Sequence, residues 1–149
     1  MQSIFNKANN LVLIEMVKNL SPETQALWGK MSISQMLAHV YQPLLVMKGD
    51  KKIKFTFLGI LMGKRLKKKK LQERGFGKNL PTHTQFRVFD PKQFYLEQQK
   101  LIDMLIILLE KEPSIITKDK HPFFGHMSIQ EWDDMMYVHL NHHFNQFGV

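Results

Sequence analysis

The 149-residue chain contains no cysteine, which excludes disulfide bonds, thiolate nucleophiles and thiolate-bound zinc. It also lacks a long apolar run: 57–62, for example, has six residues, whereas about 18 to 20 are needed to cross a bilayer. The first seven residues lack the basic-then-apolar order of a secretory signal peptide. These absences predict a cytoplasmic protein without a transmembrane segment, and a cysteine-free chain is compatible with a reducing compartment.

Acidic residues are scarce in one part of the chain. Lys and Arg total 21 against 13 Asp and Glu, a net charge of +8. Twelve of the basic residues and two of the acids lie in 48–78, a local balance of +10, so the rest of the chain stands at −2. The basic residues are densest at 64–70, where no aromatic residue alternates with them to stack on bases. We therefore expect no specific nucleic-acid partner.

The pattern of apolar residues predicts an all-α fold. Apolar residues make up 44% of the chain, enough for a core in one domain spanning 1–149. Positions at three- and four-residue spacing predict four main helices: about 3–18, 32–47, 91 to just before Pro113, and 128–147. In the first of these, the stripe includes Ala8, Leu11 and Ile14. The expected architecture is an antiparallel four-helix bundle with a long crossover, 48–90, between its second and third main helices.

Several short signals predict where helices start. Asp90 and Pro91 suit the N-cap and first residue of the third helix. Within the crossover, a further helix is expected at about 56–73. The second and fourth main helices are preceded by similar strings, 29–33 (GKMSI) and 125–129 (GHMSI), in which the serine suits the N-cap.

Three histidines are candidates for a metal site. His139 and His143 are four residues apart, so on a helix both side chains can reach one ion. His39 lies seven residues after the serine of its string, whereas His139 and His143 lie eleven and fifteen residues after theirs. Because these offsets differ by four residues, about one helical turn, all three histidines occupy equivalent helix faces. An alternative interpretation, in which these histidines bind no metal, stays open. A His-x-x-x-His pair can arise by chance, and a single histidine among apolar residues is more often a core residue whose hydrogen bonds are satisfied.

Three glutamines lie near these histidines on the predicted helices. Gln42 and Gln146 each follow a candidate ligand by about one turn, and Gln35 precedes His39 by one turn. Each is a candidate for orienting a ligand or contacting a substrate, although a solvated helix face explains each glutamine without any role at the site. No carboxylate lies on the same turn as the histidines, so no catalytic residue is named.

Beyond the histidines, the chain resembles the DinB-like (damage-inducible) superfamily, which combines a helix bearing a single central histidine with a late helix bearing His-x-x-x-His. It is more specifically similar to a branch of uncharacterised bacterial proteins. The matching strings occur in order over nearly the whole chain: Trp28-Gly29-Lys30-Met31, Met36-Leu37-Ala38-His39, Lys78-Asn79-Leu80-Pro81-Thr82, His121-Pro122-Phe123-Phe124-Gly125 and the terminal stretch from His139 to Gly148. The last two of these strings are fairly specific together, and either alone is weak.

The resemblance implies a four-helix bundle, a homodimer, and a divalent-metal site, nickel or zinc, made by His39, His139 and His143. Characterised relatives include thiol transferases that use bacillithiol and a mycothiol-dependent isomerase, so a low-molecular-weight thiol is an implied cofactor. The expected function is that of a metal-dependent thiol transferase or hydrolase acting on a small electrophilic substrate. In such a protein the metal lowers the pKa of a bound thiol or water.

Two other function classes stay open. The first is a stress protein that binds a metal or small ligand without turnover. The second is an interaction protein that uses the basic segment 64–70, which follows an apolar stretch in the order of a membrane-surface anchor. A solvated helix end explains the same lysines without any partner.

Overall fold

The computed structural model describes residues 2–54, 63, 65–69, 76–78 and 86–149. Within them the chain is mostly helical and has no strand, which confirms the all-α prediction. No helix in this part of the chain is both long and apolar enough to cross a membrane. The α-helices whose bounds the structure describes are α1 (Lys7–Lys18), α2 (Ile33–Lys48), α3 (Phe94–Lys111) and α4 (Ile129–Gln146), and a short 3-10 helix, Glu112–Ile115, follows α3.

Helix packing creates one apolar core between the four α-helices. Helices α1 and α2 each pack against both α3 and α4. The largest fully buried side chains come from all four helices and from the N-terminal segment; they include Ile4, Leu13, Leu37, Leu105 and Trp132. That this packing is the DinB-like antiparallel bundle, and that 1–149 forms a single domain, stay predictions.

The starts of α2 and α4 share one local geometry. Ser32 accepts a hydrogen bond from the backbone N–H of Gln35, whose side chain accepts one from the Ser32 N–H. Ser128 and Glu131 make the same reciprocal pair. The first glycine of each preceding string has a left-handed backbone, with φ of 86° and 73°. Both serines are N-caps, as the sequence predicts, and the structure shows that each of them closes a capping box.

Helix α1 differs from its prediction in both start and face. It begins at Lys7, because the Asn6 side chain caps it by accepting from the Asn9 N–H. Ala8 and Leu11 are exposed, the latter by 46%, so their placement in the core stripe was wrong. The buried face instead includes Asn10 with Leu13, Ile14 and Val17.

The burial of Asn10 explains the altered face of α1. Its amide donates to the carbonyl oxygens of Ile4, at 2.6 Å, and Leu105, at 3.1 Å. These bonds tie the N-terminal segment and α3 to α1. A polar residue thus takes a core position because it finds buried partners, which an apolar periodicity does not reveal.

Helix α3 begins later than Asp90 and Pro91 predict. Its N-cap is Gln93, which makes no side-chain capping bond, and Phe94 is the first helical residue. Pro91 and Gln93 are exposed, whereas Phe94 is buried and starts the stripe that continues through Leu101. Burial of the apolar stripe, rather than the proline, sets the start of this helix.

Part of the basic crossover packs on the start of α4. The Lys67 ammonium lies 2.7 Å from the Glu131 carboxylate and donates to the His126 carbonyl at 2.8 Å. Nearby, a Cβ added at Gly63 would overlap the Phe123 carbonyl, so the two backbones are in close contact. Residues 63 and 65–69 are helical, as expected, and the rest of the helix expected at 56–73 lies outside the described residues. Lys64, Lys70 and all of 78–82 except Lys78 also lie outside them.

Candidate metal centre

Helices α2 and α4 bring the three predicted histidines together. One ring nitrogen each from His39, His139 and His143 lies within 4.8 Å of the other two. The ring centroids are 4.7 to 5.1 Å apart. His39 and His143 are buried and His139 is half-buried. This histidine cluster can hold a metal ion.

A backbone carbonyl orients His39. The ring Nδ1 lies 2.9 Å from the carbonyl oxygen of Phe86. Because a carbonyl oxygen only accepts, Nδ1 carries the proton and donates it. The lone pair of the neutral ring is therefore on Nε2, the remaining nitrogen available to an ion.

A side-chain amide orients His143 in the same way. The Gln146 amide nitrogen donates to the carbonyl oxygen of Trp28 at 2.7 Å, so the amide oxygen faces His143. That oxygen lies 2.8 Å from the His143 Nδ1 and accepts its proton. The backbone carbonyl of Gln146 also accepts from the Leu27 N–H at 2.8 Å. Metal-binding histidines are typically held by such a hydrogen bond on the nitrogen away from the ion.

Burial keeps the cluster neutral. Desolvation lowers the pKa of His39, partly offset by its bond to the Phe86 carbonyl. The pKa of His139 falls well below its ordinary value, through burial and the neighbouring histidines. The pKa of His143 falls to about 3 by burial and by the His39 charge. Neutral imidazole is the form that binds a metal.

The donor set carries no negative charge. In the part of the chain that the structure describes, no Asp or Glu belongs to the cluster. Three neutral imidazole nitrogens suit zinc, nickel, copper or iron. With three protein ligands, such an ion would also keep a coordination position for water or substrate.

Of the three predicted glutamines, Gln146 is hydrogen bonded to a cluster histidine. The Gln35 side chain caps α2 and donates to the Phe89 carbonyl. The Gln42 amide donates to the Ala38 carbonyl at 3.3 Å and accepts from the Lys51 ammonium at 2.6 Å. These hydrogen bonds therefore connect Gln35 to the cap of α2 and to Phe89, and Gln42 to Ala38 and Lys51, rather than to a cluster histidine.

Sequence reasoning missed the parts of the site that lie outside the helices. The Trp28 and Phe86 groups that bond to the site are backbone carbonyls. Because every residue has one, nothing in the sequence points to these two. The Phe76 ring lies 5.7 Å from the His139 ring, between centroids. Its sequence signal is also weak, because one phenylalanine in a glycine-rich loop has no periodicity.

His121, in one of the strings of the family resemblance, serves the fold. It is buried, and its Nδ1 accepts the N–H groups of Phe123 and Phe124, both at 3.0 Å. Its backbone pairs with Gly125, and its ring packs against Trp132 with centroids 5.1 Å apart. The string 121–125 thus forms a closed turn against the start of α4.

Comparison with protein-family models, with curated proteins and with solved structures finds no match. Membership of the DinB-like superfamily therefore stays a prediction based on the matching strings.

Proposed function

We propose that this chain is a DinB-like protein in which His39, His139 and His143 bind one divalent ion, zinc or nickel. We further propose that it is a metal-dependent thiol transferase or hydrolase acting on a small electrophilic substrate. When bound, the ion would supply Lewis acidity that lowers the pKa of a thiol or water at its open position. The supporting observation is the pair of Nδ1 hydrogen bonds, because they leave the Nε2 atoms of His39 and His143 to the ion.

In this proposal, different residues supply the metal ligands and orient them. The three imidazoles supply neutral nitrogen ligands. The Phe86 carbonyl and the Gln146 amide hold two of the rings in one tautomer and orientation. Of the three histidines, His139 is the most exposed to solvent.

Elemental analysis of untagged protein tests the metal site. We expect about one equivalent of a divalent transition metal in the wild type and a strong loss in His39→Ala. A matched control is His126→Ala, which removes an exposed histidine outside the cluster and should leave the metal content unchanged. Equal metal content in the wild type and His39→Ala would refute the three-ligand site, provided circular dichroism shows both to be folded.

A non-catalytic metal-binding protein is the second candidate. It is supported by the donor set, which provides no described carboxylate to act as a general base. Thiols and generic electrophiles assayed with the metal-loaded and metal-free protein distinguish the two. Metal-dependent consumption of the electrophile, with or without thiol, supports an enzyme, whereas metal binding without turnover over a broad panel supports the binding protein.

A further inference from the structure

A cavity lies at the C-terminal end of α2, and no histidine of the cluster lines it. Its volume is about 380 Å³, within the range of roughly 300 to 1,000 Å³ that is typical of small-ligand sites. The described residues of its lining belong to the ranges 46–53 and 117–122 and to Trp132 of α4. We call this space the α2-end cavity.

The walls of the α2-end cavity are joined by hydrogen bonds. The backbone N–H of Thr117 donates to the carbonyl oxygen of Met47, in the last turn of α2, at 2.8 Å. The Thr117 hydroxyl oxygen accepts from the N–H of Asp119 at 3.1 Å. A Cβ added at Gly49 would lie 3.2 Å from that hydroxyl oxygen, so the two segments are closely packed. The cavity is therefore formed by the folded chain before any ligand binds.

The charge of the described lining is positive. Lys51, Lys52 and Lys120 line the cavity against one acid, Asp119, which gives three positive charges and one negative, a balance of +2. The Lys51 ammonium donates to the Gln42 side chain at 2.6 Å, and the Lys52 ammonium lies 3.9 Å from the Asp119 carboxylate. An anion with two negative charges would match this balance.

The rest of the lining is suited to an apolar group. Val46, Ile53, Pro122 and Trp132 contribute apolar surface to the cavity. The hydroxyl of Thr117, which also lines it, can donate its own proton to a ligand oxygen. A ligand with an apolar body and a charged end would use both kinds of surface.

We infer that the α2-end cavity binds a small phosphate monoester with an apolar body. A phosphate monoester carries a charge of about −1.5 to −2 at pH 7, which matches the balance of the lining, whereas a carboxylate carries one negative charge. Lysine ammoniums bind phosphate as point charges. This inference does not depend on the proposed metal site.

Calorimetric titration with phenyl phosphate tests the inference, with benzoate and inorganic phosphate as comparisons. All titrations are made at about pH 8, where the ester is a dianion, and at one low ionic strength. We expect the wild type to bind phenyl phosphate more tightly than benzoate, which has the same ring and one charge. It should also bind phenyl phosphate more tightly than inorganic phosphate, which has no apolar body.

Two lysines of one segment provide a matched pair of variants. Lys120→Met should weaken phenyl phosphate binding about fivefold, the upper range for an exposed charge pair. Lys118→Met removes the same charge at an exposed position outside the described lining and should have much less effect. Equal effects of the two variants would overturn the inference, because net charge would then explain the binding.

Replacement of Asp119 should have the opposite effect. Asp119→Asn removes the negative charge of the lining and frees Lys52 from its ion pair, so phenyl phosphate should bind about threefold more tightly. A gain in affinity cannot result from damage to the fold. Unchanged or weaker binding in this variant would contradict the proposed site.

His39→Ala separates the inference from the proposed function. It should bind phenyl phosphate like the wild type, because His39 does not line the cavity. Loss of binding in this variant would place the ester at the histidine cluster and overturn the inference. A wild type that holds no metal yet binds phenyl phosphate would refute the proposed function alone.

The source of the phosphate group is tested with vesicles of phosphatidylcholine containing phosphatidic acid. Sedimentation of the protein with them, reversed by phenyl phosphate, would show that the cavity accepts the phosphate monoester of a lipid. Binding of phenyl phosphate without sedimentation would show that it accepts a soluble ester.

Discussion

His143 donates its Nδ1 proton to the amide oxygen of Gln146, 2.8 Å away and three residues further along α4. The same amide donates to the Trp28 carbonyl at 2.7 Å. One side chain therefore sets the orientation of a candidate ligand and ties α4 to the segment that carries Trp28.

Replacement of Gln146 should weaken metal binding without removing a ligand. In Gln146→Leu the His143 ring loses its Nδ1 acceptor, and the loss of such a partner typically costs about 10- to 100-fold in metal affinity. Competition with a chromophoric chelator measures the change. The control is Gln130→Leu, an exposed position on the first turn of α4, which should behave like the wild type. Equal chelator resistance in Gln146→Leu and the control would contradict the role of Gln146.

Acid should destabilise the metal-free protein through the buried histidines. The pKa of His143 is about 3 in the folded chain, against 6.5 for an ordinary histidine. Between these values the unfolded chain binds more protons, so stability falls as the pH falls below 6.5. His143 alone contributes about 1.4 kcal/mol per pH unit in that range. Burial lowers the pKa of His39 and His139 as well, which acts in the same direction.

Urea unfolding of the metal-free protein at pH 7 and pH 5, with chelator present, measures this loss. His143→Gln should lose less stability on acidification than the wild type, because glutamine has no proton to take up. His126→Gln, at an exposed position, should reproduce the wild-type dependence. An identical dependence in His143→Gln and the wild type would show that His143 is not held neutral by burial.

The ion pair between Lys67 and Glu131 should stabilise the contact between the crossover and α4. Its atoms are 2.7 Å apart, the Lys67 side chain is 13% exposed, and the ammonium also donates to the His126 carbonyl. Lys67→Met should therefore cost about 1 kcal/mol, the upper range for such pairs. Lys68→Met removes the same charge at the next, exposed position and should cost much less. Urea unfolding compares them, and equal losses would mean that net charge, not this contact, matters.

Local rules account for the parts of the fold that the sequence predicts well. Ser32 and Ser128 cap their helices through bonds to residues three positions away, so the whole interaction lies within a short string. The placement of His39, His139 and His143 on equivalent faces follows from helical geometry. The three candidate ligands could be named for this reason before any contact was known.

Errors arose where distant contacts outweighed local signals. Asn10 is buried because it bonds to Ile4 and Leu105, the second of which is 95 residues away. Pro91 is a good first residue for a helix, yet α3 begins at Phe94, where burial begins. Local propensity differences are worth about 1 kcal/mol or less per residue, so packing and buried hydrogen bonds override them.

By itself, the sequence determined the helical class, the capped starts of α2 and α4, and three histidines on matching faces, because each depends on neighbours within a few turns. Only the tertiary structure decided that these histidines share one cluster, and that Gln146 rather than Gln35 or Gln42 bonds to it. The same holds for the Phe86 and Trp28 carbonyls, which orient His39 and Gln146. Every residue has a carbonyl, so the packing of distant segments alone selects which of them reaches the site.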